Sequence, residues 1–160
     1  MLKTSISVIA IFGVTTTFNF PASASENIRF TALPYIDSSV QFPRTRVPLV
    51  RHTIRISVPQ NSKAISQLKL RIPYGLSAKN DITVTDESGR ELTANTSVSE
   101  DTIIINFPQP VESGTELKID MNRVVISRHS PIWLYRVTAQ LVGLQPELNL
   151  GVARIRGYFP

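Results

Sequence analysis

The sequence predicts an all-β chain folded as a single antiparallel β-sandwich of the immunoglobulin-like or Greek-key type, with seven to eight short strands. Three observations carry this expectation. Apolar and polar residues alternate at period two in one short segment after another, which is the pattern of strands with one buried face. Pro, Gly and Asn clusters bound these segments at fairly even spacing. No segment sustains a helical period. A small closed barrel is the alternative architecture.

The first element is not a strand. Met1-Leu-Lys is a short positive stretch, and residues 5–20 follow without a charge. Pro21 breaks that run, and Ala22-Ser-Ala24 offers the small-x-small pattern that a signal peptidase accepts. Residues 1–24 therefore read as a secretory signal peptide cleaved between Ala24 and Ser25. The apolar run is shorter than the ~20 residues that span a bilayer and contains three consecutive threonines, which argues against an anchor. No later stretch is apolar enough to span. The mature chain is expected outside the cytoplasm, in the periplasm or secreted.

Residues 25–50 carry prolines at 34, 43 and 48, and the residue before each is biased towards extended geometry. The segment reads as an extended arm, with the sandwich domain occupying 51–160. Arg44, Arg46, Arg51 and His52 make the end of the arm basic, either as an anion-binding element or, the preferred reading, as a solvated connector.

The strands follow in order. In 53–58, Ile54, Ile56 and Val58 face inward and Thr53, Arg55 and Ser57 outward, until Pro59 ends the run. Residues 61–65 read as one helical turn capped by Asn61. Residues 67–72 place Leu68, Leu70 and Ile72 inside, before a turn at Pro73-Tyr-Gly75. Residues 81–85 alternate again, and 87–90 with 91–93 read as a hairpin. The apolar run 102–107 suits a central strand. Glu112-Ser-Gly114 makes a turn into 115–121, whose Leu117, Ile119 and Met121 face inward.

The clearest strand is 133–141. Trp133, Tyr135, Val137, Ala139 and Leu141 share one parity, and Arg136, Thr138 and Gln140 the other. A loop over 143–149 leads to a last strand at 152–159, with Ala153, Ile155 and Phe159 on one side and Arg154 and Arg156 on the other.

Several second-half motifs occur in a telling sequence: Pro108-x-Pro-Val, Ser113-Gly-Thr, Leu117, Asn122-Arg123, Trp133-Leu-Tyr-Arg-Val-Thr-Ala139 and Leu150-Gly-Val-Ala-Arg154. This order resembles the cyanobacterial exported family catalogued as domain of unknown function 2808. The first half matches more thinly, through 53–59 and Leu68. The resemblance implies export and one β-rich domain, and it carries no activity. Where the family pattern places Asn-Pro and a Gly-rich turn before the aromatic strand, this chain has 124–131 instead.

Composition removes many chemistries. The chain has no cysteine, so it has neither a disulfide nor a thiolate metal site. Its histidines are His52 and His129, with no carboxylate cluster near either, so no metal site and no cofactor is expected. Nucleophilic catalysis needs an activated hydroxyl with a base in reach. Ser127 and Ser130 flank His129, but strand neighbours point to opposite faces, and no Gly-x-Ser-x-Gly turn is present.

The chain is therefore read as non-catalytic: an exported binding or structural module of the envelope with a basic surface. A small exported hydrolase of envelope glycan or peptide, using His129 or a carboxylate pair, is the alternative. The formal net charge is +5. Export argues against nucleic acid, which leaves an anionic glycan, a lipid or an acidic envelope protein as partner. The candidate binding residues are Arg123, Arg128, His129, Arg136, Arg154 and Arg156. Trp133 and Tyr135 are assigned to the core. If Arg55, Lys69, Arg71, Arg136, Arg154 and Arg156 lie on neighbouring strands, they form one basic stripe.

Overall fold

A computed structural model describes residues 32–158. The expected signal peptide, its cleavage point at Ala24 and Ser25, and Phe159 lie outside the described residues. Ten strands run in chain order: β1 (Tyr35–Phe42), β2 (Leu49–Ser57), β3 (Ile65–Arg71), β4 (Leu76–Ala78), β5 (Ile82–Thr85), β6 (Asn95–Val98), β7 (Thr102–Val111), β8 (Glu116–Ile126), β9 (Ile132–Leu141) and β10 (Leu148–Arg156).

All pairings are antiparallel and make two five-stranded sheets, neither closed into a barrel. The first has the order β1-β2-β8-β4, with β5 pairing β8 alongside β4. The second has the order β10-β9-β3-β7-β6.

The period-two pattern explains why the sheets stack. Trp133, Tyr135, Val137, Ala139 and Leu141 are all buried, as are Leu68 and Leu70 on β3 and Ile103, Ile105 and Phe107 on β7. The first sheet answers with Ile54 and Ile56 on β2 and Leu117, Ile119 and Met121 on β8. Each such Leu, Ile, Val, Met or Phe side chain contributes about 1.5–3 kcal/mol by leaving water. The two inner faces interdigitate into one core, as in other sandwiches.

The architecture differs from the sequence reading at several places. Part of the segment read as an arm is β1, paired with β2 from Tyr35↔Ser57 to Phe42↔Arg51. Residues 61–65 form no helical turn. The Ser62 N–H donates to the Pro59 carbonyl at 2.9 Å, and β3 begins at Ile65. The hairpin expected at 87–93 is present but short: Thr85 pairs with Glu91, and the Asp86 and Leu92 N–H groups donate to the Arg90 and Val84 carbonyls, after which the chain crosses to the second sheet as β6 and pairs with β7. The Asp86 carboxylate explains the tight bend, since it accepts from the N–H groups of Ser88 and Arg90. β8 continues through Ile126 because Val124 again faces the core. β10 starts inside the expected loop, with a register shift between Asn149 and Gly151. Gly151 has φ +108°, which favours glycine there.

The sandwich edges are tied to each other. The Ser39 hydroxyl on β1 donates to the Arg154 carbonyl on β10 at 2.9 Å. Across the other side, Thr96 on β6 donates to the Asn80 side chain ahead of β5 at 2.9 Å.

One polar chain crosses the core. His52 on β2 is fully buried and its Nδ1 lies 2.8 Å from the Tyr135 hydroxyl on β9. Its Nε2 lies 3.3 Å from Gln41 Oε1 on β1. The Gln41 amide in turn donates to the carbonyls of Pro43 and Thr45. The directions follow from the inventory of donors. Because Gln41 donates outward, its oxygen faces His52 and accepts from Nε2–H. That leaves Nδ1 to accept the Tyr135 proton. The two rings meet edge-on, with centroids 5.7 Å apart.

Burial pulls the His52 pKa from 6.5 down to about 4 and pushes the Tyr135 hydroxyl up. Between pH 6.5 and 4 the unfolded chain therefore binds a proton that the folded chain refuses, so stability falls as pH falls through this window. The loss should reach about 3 kcal/mol at pH 4 relative to pH 7. Urea titrations across that range should show the slope, and it should be absent in His52→Leu. Tyr135→Phe, which strands Nδ1 without its donor, should cost about 1–3 kcal/mol at pH 7.

Candidate functional site

Strand pairing decides which charges meet. On β3, β9 and β10 the residues pointing away from the core form a basic field. Arg71 stands directly across from Arg136, which stands across from Val152. On the next rows Leu134 is opposite Arg154 and Ile132 is opposite Arg156. Neighbouring strands are ~4.8 Å apart, and same-face residues along a strand are ~6.7 Å apart. Arg136, Arg154 and Arg156 thus share one small area. Half-exposed Leu134 and Val152 alternate with them in a chequerboard. A shallow hollow of about 400 Å³ lies over Arg71, Pro73, Leu134, Arg136 and Val152.

The charge of this field is partly uncompensated. Arg71 pairs with Asp101 at 3.2 Å, and Lys69 pairs with Glu147. The Lys69 contact holds the Glu147 carboxyl below its ordinary range. Arg136, Arg154 and Arg156 meet no carboxylate among the described residues. Like charges directly opposite on a sheet repel. The juxtaposition of Arg71 and Arg136 is therefore a cost that an anionic partner would relieve.

The outer face of the other sheet is different. Asp120 is buried there, accepting from the Thr53 hydroxyl, with Lys118 Nζ at 2.7 Å and Arg51 Nε at 3.9 Å. Arg51 also lies 5.1 Å from the Phe42 ring centroid. Here the basic groups gather around their own carboxylate. Arg55 belongs to this sheet, so the single stripe expected from the sequence divides between two opposite faces.

A cleft opens at the end of the sandwich where β1 leads into β2, β8 leads into β9, and β10 ends. It has a volume of about 310 Å³. Val47, Pro48 and Ile126 form its apolar wall, and Thr45, Arg46, His129 and Tyr158 its polar lining. Arg46 Nη2 lies 3.1 Å from His129 Nε2. Arginine only donates, so Nε2 accepts in this contact.

Both loops are anchored. Ile126 N–H donates to the Pro48 carbonyl at 2.8 Å, and the Ser127 hydroxyl donates to the Gly75 carbonyl at 3.0 Å. The Ser130 hydroxyl donates to the Ile132 carbonyl at 2.6 Å. Beside the cleft, the Arg128 guanidinium lies 4.7 Å from the centroid of the exposed Tyr74 ring.

The six candidate residues thus fall into three places. Arg136, Arg154 and Arg156 share the outer face of the second sheet. Arg128 and His129 sit on the β8–β9 loop, at the end of the sandwich where β10 finishes. Arg123 is exposed on β8 in the first sheet and does not join either group. Arg46, which belonged to the segment read as a connector, lines the cleft. The opposite end of the molecule is acidic, with Asp86, Glu87, Glu91 and Glu112 around a hollow of about 370 Å³. Among the described residues no group of three or more His, Cys, Asp or Glu side chains is arranged to hold a metal ion. No helix there is long and apolar enough to cross a membrane.

Two open antiparallel sheets packed face to face define a β-sandwich of the kind found in bacterial surface adhesins. The chain belongs to the family described as protein of unknown function (DUF2808), whose model matches residues 27–156. That match takes in all ten strands, including those read less specifically from the sequence. No curated protein sequence matches the chain.

Among solved structures, the N-terminal domain of the Streptococcus gordonii adhesin Sgo0707 is 12% identical with a TM-score of 0.51. That match covers 77% of this chain and 32% of the other, so this chain spans about a third of the length of that N-terminal domain structure. ACE19, the collagen binding subdomain of the Enterococcus faecalis surface protein ACE, is 12% identical with a TM-score of 0.50, covering 76% and 96%. The collagen-binding domain of a Staphylococcus aureus adhesin is 19% identical with a TM-score of 0.48, covering 77% and 96%. At these identities the likeness to the first two is one of fold.

Gly157 locks β10 to the β8–β9 loop. Its N–H donates to the Pro131 carbonyl at 2.9 Å, and a Cβ there would lie 2.0 Å from the Ser130 carbonyl oxygen and 3.4 Å from Trp133 Nε1. Gly157→Ala should cost about 1–3 kcal/mol through this overlap. It should also shift the emission of Trp133, the sole tryptophan, while a distant exposed change such as Gly89→Ala leaves the emission unchanged.

Proposed function

We propose that this protein is an exported, non-catalytic β-sandwich module that holds an acidic polysaccharide of the cell envelope against the outer face of its second sheet. One observation carries the reading. Register puts Arg71, Arg136, Arg154 and Arg156 on one face, and three of the four are without a carboxylate among the described residues. A line of fixed cations spaced along strands suits a repeating anion better than a single one. Arginine forks grip carboxylates and sulfates, and Leu134 and Val152 offer apolar ground for the C–H faces of sugar rings. The acidic loops at the far end would repel the same polymer and so favour this end. Membership of an adhesin-like fold class agrees with a binding role, and the expected signal peptide at residues 1–24 supplies the route out of the cytoplasm.

A hydrolase built on His129 is disfavoured by the surroundings of that residue. Its Nε2 faces Arg46, and the hydroxyls of Ser127 and Ser130 are committed to backbone carbonyls. The residues lining the cleft include no carboxylate.

Retention on an immobilised uronate-rich polysaccharide should be strong at low ionic strength and weaken steeply with salt. The pair Arg136→Glu and Arg154→Glu should weaken it about thirtyfold, the loss expected from two contacts of ~1 kcal/mol each. Unchanged retention in that variant, or equal retention on a neutral polysaccharide, overturns the reading. N-terminal sequencing of exported protein should begin at Ser25.

A further inference from the structure

We infer that the end cleft takes one carboxylated sugar ring, the terminal unit of the acidic chain held on the neighbouring sheet face. This inference rests on the reading just given.

Three features carry it. The volume of about 310 Å³ is at the small end for ligand sites, of the order of a single ring and not of a long chain. The lining is divided as a pyranose acid is divided. Val47, Pro48 and Ile126 face the ring's apolar side, Arg46 faces its carboxylate, and the hydroxyls of Thr45 and Tyr158 face its hydroxyls. Arg46 uses one donor on His129 and keeps further N–H groups in its fork for a ligand, with no carboxylate partner among the described residues.

The site is also prepared in advance. The buried chain from Tyr135 through His52 to Gln41 ends on the carbonyls of Pro43 and Thr45, in the loop that carries Arg46. The other end of that loop is pinned by Ile126 on Pro48. A loop fixed from within the core loses little freedom when a ligand arrives. Tyr158 lies two residues beyond Arg156, and the Gly157 N–H on Pro131 continues the pairing between them. One wall of the cleft therefore follows directly on the last arginine of the face, within reach of consecutive units of one polymer.

The test titrates the full chain with free glucuronate, following the His129 ring resonances by NMR, with glucose, acetate and inorganic phosphate as comparison probes. Glucuronate should saturate with a millimolar dissociation constant, and glucose should not bind. Acetate and phosphate should bind at least tenfold more weakly than glucuronate. Arg46→Ala should weaken glucuronate at least tenfold, and Arg46→Lys, which keeps the charge, should lose less. Gln41→Met, which touches no ligand, should weaken it several-fold by releasing the loop.

Equal binding of phosphate or acetate overturns the inference, because the cleft is then a generic anion hole. Unchanged affinity in Arg46→Ala overturns it as well. If the polymer is retained while glucuronate leaves His129 unmoved, the cleft assignment fails and the face reading stands. If glucuronate saturates while Arg136→Glu with Arg154→Glu leaves polymer retention unchanged, the face reading fails and the ring site stands.

Discussion

The hydrogen bond between His52 and Tyr135 is the constraint on which the rest of the molecule turns. It joins the two sheets through the middle of an otherwise apolar core, where an unmet polar group costs far more than the bond itself returns. The pair therefore does more to specify than to stabilise. Sliding β2 by one residue would carry His52 to the outer face and leave the Tyr135 hydroxyl buried without a partner. One polar contact thus fixes the register of a strand in each sheet relative to the other. Through Gln41 it also fixes where the chain goes after β1.

That register distributes the charges. The two outer faces carry similar numbers of basic groups but treat them oppositely. Around Asp120, Thr53, Lys118 and Arg51 close on a carboxylate that is itself buried. On the opposite face the carboxylates sit at the margins, and the centre of the field keeps its positive charge. A surface that is balanced within itself has little to offer a charged partner, whereas a row of like charges held in place by a sheet does.

Much of this was legible in the sequence, and the illegible part has a physical cause. The parity of 133–141 placed five side chains in the core without error, because one buried face imposes alternation on every strand that supplies it. The same parity reaches back through Val50, His52 and Ile54, but a histidine beside three arginines reads as solvated, so β2 was begun after it. β1 and β6 escape the pattern because edge strands bury little, and their residues Ser38, Ser39, Asn95 and Thr96 show no apolar alternation; β4, three residues long, is too short to show a period. Which arginines would meet was beyond reach. Pairing depends on sheet order, and period two says only which face a residue takes, not which strand lies beside it. The pairing of Arg46 with His129 is hidden for a related reason, since the two are far apart in sequence and meet only where two loops converge.

The tied edges have a consequence of their own. An open sandwich has four strand edges, each a template on which another extended chain can grow into a fibre. Here β1 is bulged near Asp37 and β10 near Leu150, and these two edges are cross-linked by Ser39 on Arg154. On the other side Thr96 and Asn80 do the same. Irregular edges held against one another offer a poor template for a neighbouring strand.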